Sequence, residues 1–131
     1  MCEYYTCVGQ NVWSYRFDTP LWNASAPVSV PHFVNVVFSF QNISGALRPL
    51  PQYQSYKDLS TNIGRAYVSF VREGDPNPGK AEAGGLPNWP KYSLRAPANM
   101  VLNSNGSFVE AFMWRKEETA FINSISRELL A

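Results

Sequence analysis

Histidine occurs once in the 131 residues, at His32. It stands in a proline-rich loop that follows the aromatic stretch from Asn11 to Asp18. An imidazole just past a strand is placed to work as a general base, since it can take a proton from a nucleophile near neutral pH and return it to a leaving group. The chain offers no matching nucleophile. No G-x-S-x-G turn occurs anywhere, and Gly106-Ser107 and Ser44-Gly45 lack its flanking pattern. By residue type alone, a single loop histidine reads first as a surface residue and only then as a catalytic one.

Other chemistries find less support. Cys2 and Cys7 both lie within the first seven residues and read as free thiols in a loose terminus rather than as a disulfide. No histidine cluster or second cysteine pair completes a metal site, and no cofactor is expected. Eleven basic against ten acidic side chains give a net charge of +1 with the signs interspersed, which excludes the basic footprint of a nucleic-acid or anionic-membrane binder. The apolar run from Val28 to Phe40 is broken by Pro31, His32, Asn35 and Ser39 and is too short to span a bilayer. Sequons at Asn23, Asn42 and Asn105 hint at secretory ancestry, whereas the first residues lack the pattern of a signal peptide, so the location stays open.

The elements that must position His32 follow from periodicity and breakers. With 45% apolar and 16% charged residues, one packed domain is expected rather than a disordered chain. Trp13, Tyr15 and Phe17 alternate with polar neighbours, so residues 11–17 read as a strand with one aromatic face. Pro20, Pro27 and Pro31 then keep the chain irregular, placing His32 on a loop before a short helix or turn over about 33–40. Residues 45–57 read as a loop.

Leu59, Ile63, Ala66, Tyr67, Phe70 and Val71 recur at helical spacing, so a helix runs from Leu59 to Glu73, with Asp58 or Ser60 as its cap and Gly74 just past its end. Gly64 weakens it slightly. A long loop follows from Asp75 to Asn88, and Trp89, set between Pro87 and Pro90, reads as a rigid plug. Met100-Val101-Leu102 and Ser107-Phe108-Val109 flank an Asn-Gly turn and form a hairpin. A terminal helix spans about Trp114 to Leu130, its Phe121, Ile122, Ile125 and Leu129 face packing onto its own domain.

Four segments in order carry a resemblance. They are Val12-Trp13-Ser14-Tyr15-Arg16-Phe17, then Val30-Pro31-His32-Phe33-Val34-Asn35-Val36-Val37-Phe38, then the helix end Gly74-Asp75-Pro76-Asn77, then Trp89-Pro90-Lys91-Tyr92. From about Asn11 onward the chain resembles the C-terminal part of the type-B carboxylesterases and lipases, the cholinesterase-like branch of the α/β-hydrolases, fungal members above all. The resemblance implies an α/β fold present in part: one late sheet strand, a small hairpin and two to three covering helices. It divides the chain into an unmatched segment, 1–10, and a carboxylesterase portion, 11–131.

In that family the loop histidine is the general base of a Ser-His-Glu/Asp triad, and His32 falls at its place. The family's serine elbow, oxyanion loop and triad acid lie upstream of the matched region. It usually carries an acidic residue three positions after the histidine, where this chain has Asn35. The resemblance thus implies a fragment of a serine esterase or lipase that contributes His32, with a carboxylic ester as substrate only in a full-length parent. Weak histidine-assisted hydrolysis is the most expected of the chain alone, because base, nucleophile and oxyanion hole act as a unit.

Two other readings stay open. One is a non-catalytic cholinesterase-like interaction module, and the other a truncated relic with no function of its own. A lone late strand also leaves Trp13, Tyr15 and Phe17 short of partners, so marginal stability and self-association through the exposed aromatic strand are expected.

Overall fold

In the computed structural model, residues 2–20, 30, 32–42, 53–77, 85–113 and 115–126 are described. The elements in chain order are α1 (Cys2–Cys7), β1 (Tyr15–Phe17), α2 (Val34–Ser39), α3 (Gln54–Glu73), β2 (Ala98–Leu102), β3 (Phe108–Ala111) and α4 (Lys116–Ser124). The sequon at Asn23, residues 45–52 of the expected 45–57 loop and residues 78–84 of the expected 75–88 loop lie outside the described residues, while Gln54 to Lys57 are not loop but the first turn of α3.

The expected strand and hairpin are one three-stranded sheet in the order β1-β2-β3. β1 runs parallel to β2 with Tyr15 beside Met100 and Phe17 beside Leu102, and β2 runs antiparallel to β3. Parallel pairing needs a long crossover, and here it contains α2 and α3. The ladder begins at Tyr15, not at residue 11. Val12 and Ser14 still give their carbonyls to the amides of Tyr92 and Met100, at 2.7 and 3.0 Å, but the partner chain bends away between them, held by a hydrogen bond from the Ala96 amide to Ser93 Oγ.

The hairpin closes at the Asn-Gly turn as the sequence requires. Gly106 takes φ 138, beyond the reach of an ordinary side chain, and its amide donates to the Asn103 carbonyl at 3.1 Å.

Helix α3 starts at Gln54, five residues earlier than the apolar stripe indicates. Neither proposed cap caps it. Tyr53 is the N-cap and makes no side-chain cap bond, Asp58 accepts from Gln54 Nε2 one turn back, and Ser60 points into the core. The polar first turn is held instead by this i,i+4 pair and by the Tyr53 carbonyl, which hides it from any reading of apolar period. At the other end Gly74 does close the helix, in the left-handed region at φ 71 with its amide on the Phe70 carbonyl.

The core sits between α2, α3 and one face of the sheet, with Val34, Phe38, Leu59, Ile63, Met100 and Leu102 as its buried members. The aromatic face of β1 is not stranded there. Trp13 meets Phe70 at 5.8 Å, Tyr15 meets Trp89 at 5.9 Å and Phe17 meets Phe38 at 5.1 Å between ring centroids, so the single late strand finds its partners within the chain. Trp89 is the plug its prolines suggest. It is 4% exposed, its indole Nε1 donates to the Ser14 carbonyl at 2.9 Å, and Asn77 clasps its backbone from both sides at 2.7 and 3.0 Å.

The two ends differ from the expectation. Cys2 and Cys7 are free and belong to a short helix. The terminal helix is described over Lys116–Ser124, and it buries no residue: Phe121 and Ile122 are 63% and 52% exposed. Phe121 and Ile122, expected to pack onto the domain, thus face outward, Ile125 is half-buried, and Leu129 lies outside the described residues. Among the described residues, no helix is long and apolar enough to cross a membrane.

Candidate active site

His32 lies where the sequence places it, in the crossover that leaves the carboxyl end of β1 and immediately ahead of α2. In open α/β sheets that is the edge at which ligands bind. The side chain is exposed, and among the described residues its ring lies beside Phe33 alone, at 6.1 Å between centroids. Phe33, the N-cap of α2, adopts φ 78 and ψ −10, a left-handed conformation that a bulky residue holds at a cost of about 1–3 kcal/mol. The turn that presents the imidazole is thus set by strained backbone. Asn35, at the position of interest three residues on, gives its carbonyl to Ser39 Oγ at 3.0 Å.

Both ends of this crossover are tied down. At its start, Thr19 is fully buried, its Oγ1 donating to the Leu102 carbonyl and accepting from the Ser104 amide at 3.3 and 3.1 Å. Tyr56 Oη donates to the Pro20 carbonyl at 3.0 Å. After His32, Ser60 Oγ donates to the Phe38 carbonyl at 2.7 Å, and the Cβ direction of Gly64 points straight at Gln41 Nε2, 2.6 Å away. The chain just past α2 comes close to α3 at that glycine, which gives it a reason beyond helix propensity.

The sheet face away from α3 carries a polar network. Arg16 donates to both carboxylate oxygens of Glu110 at 2.9 and 3.1 Å and lies 3.0 Å from Asp18, while Ser14 donates to Asn99. The hydrogen bond from Arg16 holds the Glu110 carboxyl below its ordinary range, and the guanidinium is raised in turn. This pair cross-links β1 to β3 over the intervening strand.

An apolar opening among the described residues lies elsewhere. A groove of about 660 Å³ lies between α1, the approach to β1 and the end of α3, with Tyr4, Trp13, Tyr15, Tyr67, Phe70 and Trp89 among its walls. His32 does not line it. Tyr67 donates to Tyr15 Oη at 3.2 Å, and burial together with that bond pushes its phenol up to about 12, so it stays neutral. Among the described residues no three potential metal ligands converge.

Comparison with known proteins turns this geometry into an assignment. The sequence model of the carboxylesterase family matches residues 1–122. The chain belongs to the carboxylesterase family. The match begins at residue 1 and so takes in α1. Among solved structures, the carboxylesterase of Geobacillus stearothermophilus is similar at a TM-score of 0.68 and 25% identity, over 88% of this chain and 22% of that enzyme. A PNB esterase gives 0.62 and 26% over 83% and 21%. An esterase of the anaerobe Clostridium hathewayi that can hydrolyze aliphatic aromatic polyesters gives 0.66, and at 23% identity it supports the fold alone. No curated protein sequence matches. The chain spans about a fifth of these carboxylesterases, and its sheet and helices form part of an α/β-hydrolase fold.

Sequence reasoning missed the roles of Tyr56 and Ser60. For Ser60 the signal was present, since it stands beside Leu59 at the start of the apolar stripe of α3 and a polar group at a buried position has to find a partner; Tyr56 precedes the stripe, in the polar first turn.

Proposed function

We propose that this chain is the C-terminal part of a carboxylic-ester hydrolase and that His32 is its general base. The observation that carries the reading is the exposed imidazole in the crossover past the carboxyl end of a parallel strand, inside a carboxylesterase-family match. The substrate is a carboxylic ester, attacked by a serine that His32 deprotonates. His32 then protonates the departing alcohol, and an acid from the rest of the enzyme fixes the imidazole tautomer. Without nucleophile and oxyanion donors the chain by itself does not turn over esters.

The test uses p-nitrophenyl butyrate with the chain alone and after co-expression with the N-terminal remainder of the Geobacillus stearothermophilus enzyme. The expected result is background hydrolysis alone, turnover on complementation, and loss of that turnover in His32→Ala. Enzyme-like, His32-dependent rates from the chain alone would sink the claim of inactivity. Complemented turnover that survives His32→Ala would remove the general-base role.

A further inference from the structure

We infer that Ser60 is a positioning residue for His32: from α3 it fixes where α2, and with it the imidazole at the entrance of α2, sits on the molecule. The inference rests on the reading of His32 as the general base.

Ser60 is 1% exposed and its neighbours on the helix face, Tyr56, Leu59, Ile63 and Ala66, are buried too. A hydroxyl in such a place is costly if left without a partner. Its partner is the Phe38 carbonyl at 2.7 Å, across the gap to α2. That bond has a consequence for α2 because α2 is only six residues long, less than two turns, and a helix of that length has too few internal bonds to hold itself. Its apolar anchors, Val34 and Phe38, keep it against α3 and the sheet, yet apolar contact is non-directional and tolerates sliding. The hydrogen bond from Ser60 is directional and sets the register.

Register passes to His32 through little intervening chain. Between the imidazole and the first residue of α2 stands only Phe33, whose φ of 78 confines it to the narrow left-handed well. A slide of α2 therefore carries the ring with it. One turn back on α3, Tyr56 holds the Pro20 carbonyl, so the same face of one helix secures the crossover before His32 and after it. Misplacement of a general base by about 1 Å is enough to lower a rate on the order of a hundredfold.

Because His32 is the chain's one histidine, labelling histidine at Cε1 with carbon-13 gives a single ring resonance that reports its surroundings without any hydrolysis assay. In Ser60→Ala that resonance is expected to split, or to shift by more than its line width, while the helical circular dichroism and a cooperative unfolding transition persist. Ser69→Ala removes another buried hydroxyl of α3, one that donates to the Asp75 carbonyl at the far end of the helix, and it is expected to leave the resonance where it was. An unchanged resonance in folded Ser60→Ala overturns the proposal, and so does the same change in both variants, since that would be general loosening. Should Ser60→Ala fail to fold, Ser60→Cys, which keeps the volume and only a weak donor, is judged by the same criterion. If the resonance responds but complemented ester turnover does not depend on His32, Ser60 still positions the ring and only the general-base role is lost.

Discussion

Along α3, Leu59, Ile63 and Ala66 recur at helical spacing and every one is buried, although the same stripe ends on exposed Phe70 and Val71; along α4, Phe121 and Ile122 begin a similar stripe and both face outward. The difference lies in what the chain places opposite each helix. α3 follows α2 closely enough to pack on it, and together they lie on the face of the sheet that presents Phe17, Met100 and Leu102. α4 follows β3, the outer strand, whose own Phe108 and Val109 are about half exposed at 47% and 43%. An apolar stripe states that a helix wants cover, and only the neighbours decide whether the same chain supplies it.

The sharpest break of this contrast is a pair of truncations. Ile63→Ala on α3 is expected to lower unfolding free energy by about 2–5 kcal/mol, and Ile122→Ala on α4 to change it by less than about 0.5 kcal/mol. Urea titration followed by circular dichroism measures both, and equal losses would mean that α4 is part of the core. Next in size is Trp89→Phe, which keeps most of the ring but removes the donor to Ser14; a loss of about 1 kcal/mol, read the same way, is expected because Ser14 retains the Met100 amide.

A loss of about the same order tests the side of the sheet that neither helix covers. Arg16 holds the folded-state carboxyl of Glu110 below its unfolded value, so the pair stabilises fully above the ordinary carboxylate range, and that stability disappears as pH falls through the lowered value. Glu110→Gln should cost about 1 kcal/mol at neutral pH and flatten the acid limb of the urea midpoint against pH. A variant whose acid limb stays as steep would show that other carboxylates govern it. The smallest effect is expected for Gly64→Ala, where about 1 kcal/mol gained in helix propensity is offset by pushing aside the amide end of Gln41. Thermal unfolding should move little in either direction; a large drop would mean that Gln41 cannot move aside as a flexible side chain should.

What was legible in the sequence follows the same division. Gly74 and the Asn-Gly turn were readable because each needs a backbone conformation that few residues adopt. Trp89 was readable as a plug because a large ring between prolines has nowhere to go but inward. His32 was placed correctly on its loop before a short helix, since prolines fix the irregular stretch and apolar residues resume after it. The start of α3 was hidden, because its first turn is polar and stabilised by Gln54 and Asp58 rather than by burial. Ser60 was misread as a cap, since a serine near the start of an apolar stripe fits either role until the facing carbonyl is known. The bareness of α4 was unreadable for the reason the comparison gives: cover belongs to the partner, not to the stripe.

The parallel pairing of β1 with β2 has a consequence in time. Ser14 and Asn99 touch across a separation of 85 residues, whereas Ser60 reaches Phe38 across 22. Closing the longer loop carries the larger entropic penalty, and during synthesis its second strand does not yet exist when α2 and α3 have both emerged. The segment bearing His32 is therefore expected to dock on its helix first, while the aromatic face of β1 waits, uncovered, for the chain to reach Met100.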